Sequence, residues 1–263
     1  MFTNSIIKPN SLICGNCLDV MPQLPNHSID MILCDLPYGT TACAWDVIIP
    51  FDKLWEQYKR IIKPSGATIL FGSQPFTSAL IMSNPKSFRY EWIWVKNTQT
   101  GMMVAGKMPM KKHENILVFY DGQPTFNEQK VLGSETSQNH SKKKYSYENK
   151  TSSLYNVDGG VKFEWSEFVH ANSVLLCNTV GNRDKSKIHP TQKPVALLEY
   201  FIKTYSNEQE VVLDNCMGSG STIIAAINSN RKYIGIEQNQ TYFDKSSLRI
   251  ENRLVTYTTP HTS

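Results

Sequence analysis

The sequence predicts an α/β fold with a doubly wound, largely parallel sheet and a small variable insert. Short apolar runs alternate with helical periodicity over residues 1–121 and again over residues 182–263. Strands that alternate with helices favour a parallel sheet. Residues 122–181 are rich in Ser, Asn, Lys and Tyr and have little periodicity, so we expect the insert there. The two flanking parts then belong to one domain.

The first part begins the alternation with a strand. The helix predicted over 51–62 has apolar residues at helical spacing, and Pro64 and Gly66 end it. Pro75 suits the first turn of the next helix, where a missing N–H costs no hydrogen bond. The predicted strands are 29–34, 67–71, 88–95 and 115–120, and the predicted helices are 51–62 and 74–82.

The last part resumes the alternation after the irregular stretch. Pro194 again suits the first turn of a helix, and apolar runs follow that are short enough for buried strands. The predicted helices are 194–205, 221–229 and 239–254, and the predicted strands are 211–214 and 232–237.

The composition permits an anionic partner. The chain has 263 residues, of which 40% are hydrophobic, enough for a sizeable core. Its net charge is +4, yet residues 96–112 hold four lysines and no acid. We expect this segment to be a loop whose lysines contact phosphates, although a solvated surface is the plainer alternative. The candidate phosphate-contacting residues are Lys96, Lys107, Lys111 and Lys112, with Arg183 adding to them.

Several classes of protein are not expected. The first ten residues are polar, and no apolar run approaches the roughly 20 residues of a membrane span, so we expect a cytoplasmic protein without membrane association. The six cysteines are scattered and indicate reduced thiols. The pair Cys14 and Cys17 lacks the second pair that a structural zinc site needs, so no metal is predicted.

The sequence Asp35-Leu36-Pro37-Tyr38 follows the first predicted strand directly. A carboxylate, a rigid proline and an aromatic ring at a strand end suggest a site on the sheet edge. By itself the pattern is as compatible with a simple turn as with catalysis.

A second cluster of chemically suggestive residues lies late in the chain. A strand ends at Asp214, a turn with Gly218 and Gly220 follows, and a helix begins near Thr222. Glycines let the backbone approach a nucleotide-like ligand closely. Glu237 ends the next strand, 19 residues after Gly218, where an acid can accept hydrogen bonds from both ribose hydroxyls of an adenosyl group.

The loop lacks residue types that phosphate-binding loops require, and this narrows the choice of adenosyl ligand. A dinucleotide-binding loop needs a third glycine where Ile223 stands, and a Walker phosphate loop needs a lysine where Ser221 stands. Asp214 is also poorly suited to lie beside a pyrophosphate. S-adenosylmethionine, which is cationic and has no phosphate, fits this loop.

Taken together, these motifs resemble the amino-methylating DNA methyltransferases of the permuted, beta-type order. In that family a catalytic (D/N/S)-x-P-(Y/F/W) motif precedes the variable target-recognition region, and the cofactor loop lies near the C-terminus. The corresponding segments here are 35–38, 189–194 (His-Pro-Thr-Gln-Lys-Pro) and 214–222, and 112–115 matches a further position of the family. The resemblance covers nearly the whole chain except roughly residues 122–181 and implies a Rossmann-like methyltransferase sheet with a target-recognition insert.

The resemblance implies a role for each matching residue. Asp35, Leu36, Pro37 and Tyr38 form the catalytic motif, in which Leu36 replaces the commoner proline and acts through its backbone carbonyl. Asn16 stands where the family usually has an acid near the cofactor adenine. The implied cofactor-binding residues are Asn16, Thr191, Lys193, Asp214, Gly218, Gly220, Thr222 and Glu237.

The activity implied by the resemblance is methyl transfer from S-adenosylmethionine to the 6-amino group of adenine in double-stranded DNA, after base flipping. Asp35 in the first motif position favours adenine. The alternatives are a cytosine 4-amino methyltransferase and an inactive protein that binds cofactor and DNA. A homodimer and a cognate restriction enzyme are further partners that the sequence leaves open.

Overall fold

A computed structural model describes residues 7–40, 46–132, 168–181, 183–184 and 186–258. The chain divides into two compact units, of which the first joins residues 1–127 to residues 173–263 and the second is 128–172. Most of the predicted insert, residues 133–167, lies outside the described residues.

Ten strands and six α-helices are found among the described residues. The strands are β1 (Ser11–Cys14), β2 (Ile29–Cys34), β3 (Ile62–Gly72), β4 (Phe88–Thr100), β5 (Lys111–Phe119), β6 (Val131–Leu132), β7 (Phe168–Val169), β8 (Val174–Leu176), β9 (Val211–Asp214) and β10 (Lys232–Glu237). The helices are α1 (Cys17–Val20), α2 (Phe51–Ile61), α3 (Phe76–Ser83), α4 (Val195–Tyr205), α5 (Ser221–Asn228) and α6 (Gln240–Thr258). Two 3-10 turns cover Met21–Gln23 and Met102–Val104.

The first unit is built on one eight-stranded sheet in the order β1-β10-β9-β2-β3-β5-β4-β8. The strands from β1 to β3 in this order pair in parallel, and β5 pairs antiparallel with both β3 and β4. The α/β class and the largely parallel sheet are therefore confirmed. In the second unit β6 pairs antiparallel with β7.

The core lies at the middle of this sheet. Every residue of β2 and β9 is buried. Asp30 is the one charged residue of β2, and its carboxylate pairs with the Lys63 ammonium at 2.6 Å and accepts the backbone N–H of Val211 at 2.9 Å. These contacts satisfy a buried carboxylate and also tie β2 to β9. None of the described helices combines the length and the apolar character that crossing a membrane requires.

Five of the described strands and helices were not predicted, namely β1, α1, β6, β7 and β8. They are short, and their neighbours supply the hydrogen bonds: β1 pairs with β10, and β8 pairs with β4. Tertiary pairing of this kind leaves no periodicity in a four-residue segment.

The basic segment, residues 96–112, was predicted to be a loop, and this prediction is wrong for residues 96–100 and 111–112, which hold three of its four lysines. β4 runs on to Thr100 and β5 begins at Lys111, so the two strands form a long hairpin. Lys96 lies in β4, and both Lys111 and Lys112 lie in β5, while Lys107 lies in the connection. Backbone pairing between the two strands holds these polar residues in extended conformation, although they lack a strand-like apolar pattern.

The chain reverses its winding direction between β2 and β9. From β2 the next parallel strand, β3, lies on one side, whereas from β9 the next one, β10, lies on the other side. The carboxyl ends of strands at such a switch point leave a crevice for a ligand. Asp35 follows β2, and Asp214 is the last residue of β9, so both carboxylates lie at this crevice.

We expect Gly66→Ala to destabilise the fold, because an added Cβ would lie 2.7 Å from the backbone oxygen of Asp30 and 2.6 Å from Ile62 Cγ1. Overpacking of this kind costs about 1 to 3 kcal/mol of the free energy of unfolding, which urea denaturation measures. Gly106→Ala is the control, because its Cβ meets no atom within 4 Å. Equal stability of the two variants would contradict the close approach of β2 and β3 at this point.

Candidate active site

A cavity of about 860 Å³ opens at the carboxyl ends of β2, β9 and β10. One wall carries the segment Asp35 to Tyr38, and the opposite wall carries the glycine turn after Asp214. The hairpin of β4 and β5 and the segment before α4 also line it. The sheet thus brings together residues that are more than two hundred positions apart in the sequence, such as Asn16 and Glu237.

Asp35 lies at the end of β2 with both carboxylate oxygens engaged. The Tyr38 hydroxyl donates to Oδ1 at 2.7 Å, and the Lys193 ammonium pairs with Oδ2. Burial raises the pKa of Asp35, and the neighbouring Lys193 charge opposes that rise. The ring of Tyr38 is stacked on Phe76 with centroids 4.8 Å apart, which fixes the ring at the cavity wall.

The turn after Tyr38 is held by a residue that the sequence did not single out. The Asp46 carboxylate accepts the N–H groups of Gly39 at 2.8 Å and Thr40 at 2.9 Å. Gly39 has a φ of +66°, a backbone conformation that side chains rarely adopt. Asp46 and Gly39 therefore fix the direction in which the motif leaves the sheet.

Lys193 belongs to a buried network of four charges. Its ammonium contacts Asp35 and lies 3.3 Å from Glu114 Oε2, while Lys96 pairs with Glu114 Oε1. Burial opposes the ionisation of Glu114, but the Lys193 and Lys96 charges outweigh it and hold the pKa of that carboxyl below its usual value. The network links β2, β4, β5 and the segment before α4.

Asp214 is the buried acid of the opposite wall. Its carboxylate accepts the Cys216 N–H at 3.1 Å and a hydrogen bond from the Thr222 side chain. Burial raises the pKa of Asp214 to about 6, against the lowering effect of these hydrogen bonds. No ion pair among the described residues includes Asp214.

Glu237 and the glycine turn hold each other in place. The Gly218 N–H donates to Glu237 Oε2 at 2.9 Å, and the Asn239 N–H donates to Oε1 at 2.8 Å. Gly218 and Gly220 have φ values of +47° and +71°. Arg249, which the sequence did not single out, donates to the Ser219 carbonyl at 2.8 Å and so fastens the turn to α6.

The segment before α4 borders the cavity between the two walls. Thr191 is exposed, and its N–H and hydroxyl lie 3.3 Å and 3.1 Å from Nδ1 of His189. Burial and the nearby Lys193 charge lower the pKa of His189 to about 4, so its imidazole is neutral at pH 7. Gln192 and Lys193 are buried behind Thr191.

Asn16 lies at the cavity rim and acts as a helix cap. Its side-chain oxygen accepts the Leu18 N–H at 2.9 Å at the start of α1. Among the residues that the structure describes, no group of His, Cys, Asp or Glu could hold a metal ion.

A family model of N6/N4-type DNA methylases matches residues 29–248, which contain both walls of this cavity. The chain belongs to this DNA methylase family. The methylase is 31% identical over 255 residues to the type II methyltransferase M.HpaI of Haemophilus parainfluenzae, an alignment that covers 92% of this chain and 74% of that one. It is 26% identical to the type II methyltransferase M.HinfI of Haemophilus influenzae, over 92% of this chain and 68% of that one.

Solved structures share the fold of this methylase. The complex of M1.HpyAVI with SAM has a TM-score of 0.60 and 21% identity, and covers 91% of this chain and 98% of that chain. PvuII DNA methyltransferase (cytosine-N4-specific) has a TM-score of 0.65 and 14% identity, and covers 95% of this chain and 92% of that chain. The Rossmann-like methyltransferase fold expected from the sequence is thereby confirmed.

The structure gathers the predicted catalytic and cofactor-binding residues around the cavity, except that Gly220 does not line it. Lys193 was predicted to bind the cofactor, and the described contacts of its ammonium are with two carboxylates instead. Its role toward the cofactor stays a prediction.

The predicted DNA-binding residues are divided between the cavity and the surface. Lys96 is mostly buried against Glu114, and the Lys111 ammonium bonds Ser73 Oγ at the cavity. The residues of this set that lie exposed are Lys107, Lys112 and Arg183.

Glu114 was missed as a site residue. It stands in the segment 112–115 that matched the family, directly before an apolar strand, and that position was the available signal. Its contact with Lys193 joins positions far apart in the sequence and depends on the sheet order.

We expect Asp214→Asn to stabilise the cofactor-free methylase at neutral pH. Because the folded-state pKa of Asp214 is raised from 3.8 to about 6, this residue contributes stability below pH 4 that is lost as the pH rises through 6. The asparagine of the variant does not ionise, so the variant keeps its stability as the pH rises. At pH 8 its free energy of unfolding therefore exceeds that of the wild type by up to about 3 kcal/mol.

Urea denaturation between pH 4 and pH 8 measures this difference, which should vanish at the acidic end. The control is Asp19→Asn, which changes an exposed carboxyl. Parallel stability curves for the wild type and Asp214→Asn would refute the assigned burial effect.

Proposed function

We propose that this protein is a site-specific DNA methyltransferase that transfers a methyl group from S-adenosylmethionine to the 6-amino group of adenine in double-stranded DNA. The observation that carries the proposal is the cavity with Asp35 on one wall and the Asp214 to Glu237 segment on the other. The two walls match the two halves of the reaction, because one accepts amino hydrogens and the other suits an adenosyl group.

The base-side chemistry follows from the nature of an aromatic amino group. Its lone pair is delocalised into the ring, so the nitrogen is a weak nucleophile. Asp35 and the backbone carbonyl of Leu36 accept its two N–H hydrogens and draw it toward a tetrahedral, more nucleophilic state. Pro37 keeps these acceptors aimed, and the ring of Tyr38 stacks on the base.

The residues of the opposite wall fit S-adenosylmethionine. Asp214 and Glu237 are buried carboxylates, and no ion pair among the described residues includes either of them. A cationic ligand with a ribose supplies the charge and the donors that these groups lack. When bound, the cofactor supplies a methyl group on a positively charged sulfur. Glu237 accepts from the ribose hydroxyls, Asp214 and the glycine turn border the methionine part, and Asn16 lies near the adenine.

Adenine is the favoured target because the first position of the catalytic motif is Asp35. In amino-methylating families this residue goes with adenine more often than with cytosine. Target recognition is assigned to residues 122–181, and phosphate contacts to the exposed cations Lys107, Lys112 and Arg183. A homodimer, a cognate restriction enzyme and a cytoplasmic location stay predictions.

The target base is tested by mass analysis of nucleosides from DNA that the protein has methylated in cells, combined with modification-sensitive sequencing to locate the site. We expect 6-methyladenine at one sequence. Methylated cytosine alone would show the cytosine 4-amino alternative, and the absence of any methylation would refute the proposed function.

We expect Asp35→Ala to lower kcat for methyl transfer by roughly a hundredfold to a thousandfold, because the amino group loses its carboxylate acceptor. Affinity for S-adenosylmethionine, measured by calorimetric titration, should change little, because Asp35 lies on the other wall. Turnover at the wild-type rate would remove Asp35 from the mechanism.

We expect Glu237→Ala to show the opposite pattern. The dissociation constant of S-adenosylmethionine should rise by roughly tenfold to a hundredfold, because hydrogen bonds to a charged acceptor are lost. At saturating cofactor, methyl transfer should continue. An unchanged titration would contradict the ribose assignment.

A further inference from the structure

Lys193 covers the acceptor that the target amino group needs. Asp35 Oδ1 already accepts from Tyr38, and Oδ2 is paired with the Lys193 ammonium. Lys193 is buried, whereas the Asp35 side chain is 24% exposed at the cavity. An amino group that enters the cavity therefore competes with the ammonium for the charge on Oδ2, and its hydrogen bond to Asp35 strengthens when the ammonium leaves.

The structure provides a second place for that ammonium. Glu114 Oε2 lies 3.3 Å from Lys193 Nζ, and beyond this long ion pair the buried oxygen has no other polar partner within the described part of the chain. A buried acceptor without a hydrogen bond is unfavourable, so Oε2 gains by receiving the ammonium. The lysine stem is flexible, and Nζ already lies over the ring of Phe71, 5.0 Å from its centroid.

We propose that Lys193 is a positioning residue that moves from Asp35 to Glu114 when the target amino group binds, so that Asp35 is capped in the free enzyme and exposed only to its substrate. This inference rests on the proposed function. It gives Glu114 the role of receiving the Lys193 ammonium, a role that neither the catalytic motif nor the cofactor-binding residues imply.

The charge balance of the network suits this exchange. Lys96 stays on Glu114 Oε1, so two carboxylates and two ammonium groups face each other before and after the move. No net charge is buried or released, and the hydrogen bonds that Asp35 loses are replaced by those of the amino group. Further charged or titratable groups near the network are Lys111, His189, Asp214, Tyr38 and Cys34.

A double-mutant cycle separates this exchange from a purely structural ion pair. The variants are Glu114→Gln, Lys193→Met and the two combined. Lys203→Met is the control, because it removes a half-exposed lysine that pairs with Glu199 at 3.9 Å within α4. Steady-state methyl transfer is measured on plasmid DNA that contains the mapped sequence, and thermal unfolding and cofactor titration check each variant.

We expect Glu114→Gln to lower kcat by about tenfold or more, because the ammonium then stays on Asp35. The KM for DNA should change little, since backbone contacts dominate that affinity. Adding Lys193→Met should raise kcat again by about tenfold relative to Glu114→Gln alone, because the cap is gone. A purely structural ion pair would restore thermal stability and kcat together, so the exchange is shown by a recovery of kcat that the unfolding temperature does not match.

Two further measurements keep the proposal open to refutation if Glu114→Gln folds poorly. Lys193→Arg keeps the charge but holds both carboxylates at once through its planar fork, so kcat should fall while the KM for DNA is retained. In Lys193→Met the lowering effect of Lys193 on the pKa of Asp35 in the free enzyme is lost, so the acid limb of kcat/KM against pH, which reports groups of the free enzyme, should move to higher pH.

The outcomes distinguish this inference from the function on which it rests. If the wild type methylates DNA but the double variant is no faster than Glu114→Gln, the exchange is overturned and the proposed function stands. An acid limb that stays in place in Lys193→Met also overturns it. If the wild type transfers no methyl group to any DNA, both proposals fail.

Discussion

Parallel pairing of β2 with β9 is the constraint on which the rest of the site depends. The two strands come from opposite ends of the chain, and they meet because the apolar residues of both need the same core and because Asp30 of β2 accepts the Val211 N–H of β9. Their carboxyl ends therefore lie side by side. Asp35 and Asp214 face one cavity at the point where the winding reverses, and a strand order without this reversal would leave no crevice between them.

The buried carboxylates of Asp35 and Asp214 have different electrostatic surroundings. Asp35 has the Lys193 cation beside it and exchanges hydrogen bonds within a charged network, whereas Asp214 has only neutral donors and a pKa raised to about 6. A carboxylate without a protein cation favours a cationic ligand, whereas Asp35 already has a protein cation beside it. This electrostatic difference between the walls is what the proposed function needs of a cofactor side and a base side.

The family model and the relatives show that the chain is a DNA methylase. The matched residues 29–248 contain the catalytic motif, the glycine turn and Glu237, and the solved methyltransferases share the fold. The structure adds the contacts that a motif does not contain. Among these are the Asp46 bonds that fix the turn after Tyr38 and the Arg249 bond that fastens the glycine turn.

The sequence by itself determined the α/β class, most helices and strands of the first unit, and the positions of Asp35, Asp214, Gly218 and Glu237. Apolar periodicity and glycine turns are local signals, and the order of the motifs along the chain can be read from the sequence alone. Only the tertiary structure decided that Lys96 and Lys111 lie in a strand hairpin beside the cavity and that Lys193 bridges Asp35 and Glu114. The physical reason is that burial and charge pairing depend on which strands are neighbours in the sheet. The sequence around Lys193 does not show that Glu114, more than seventy positions away, will be its neighbour.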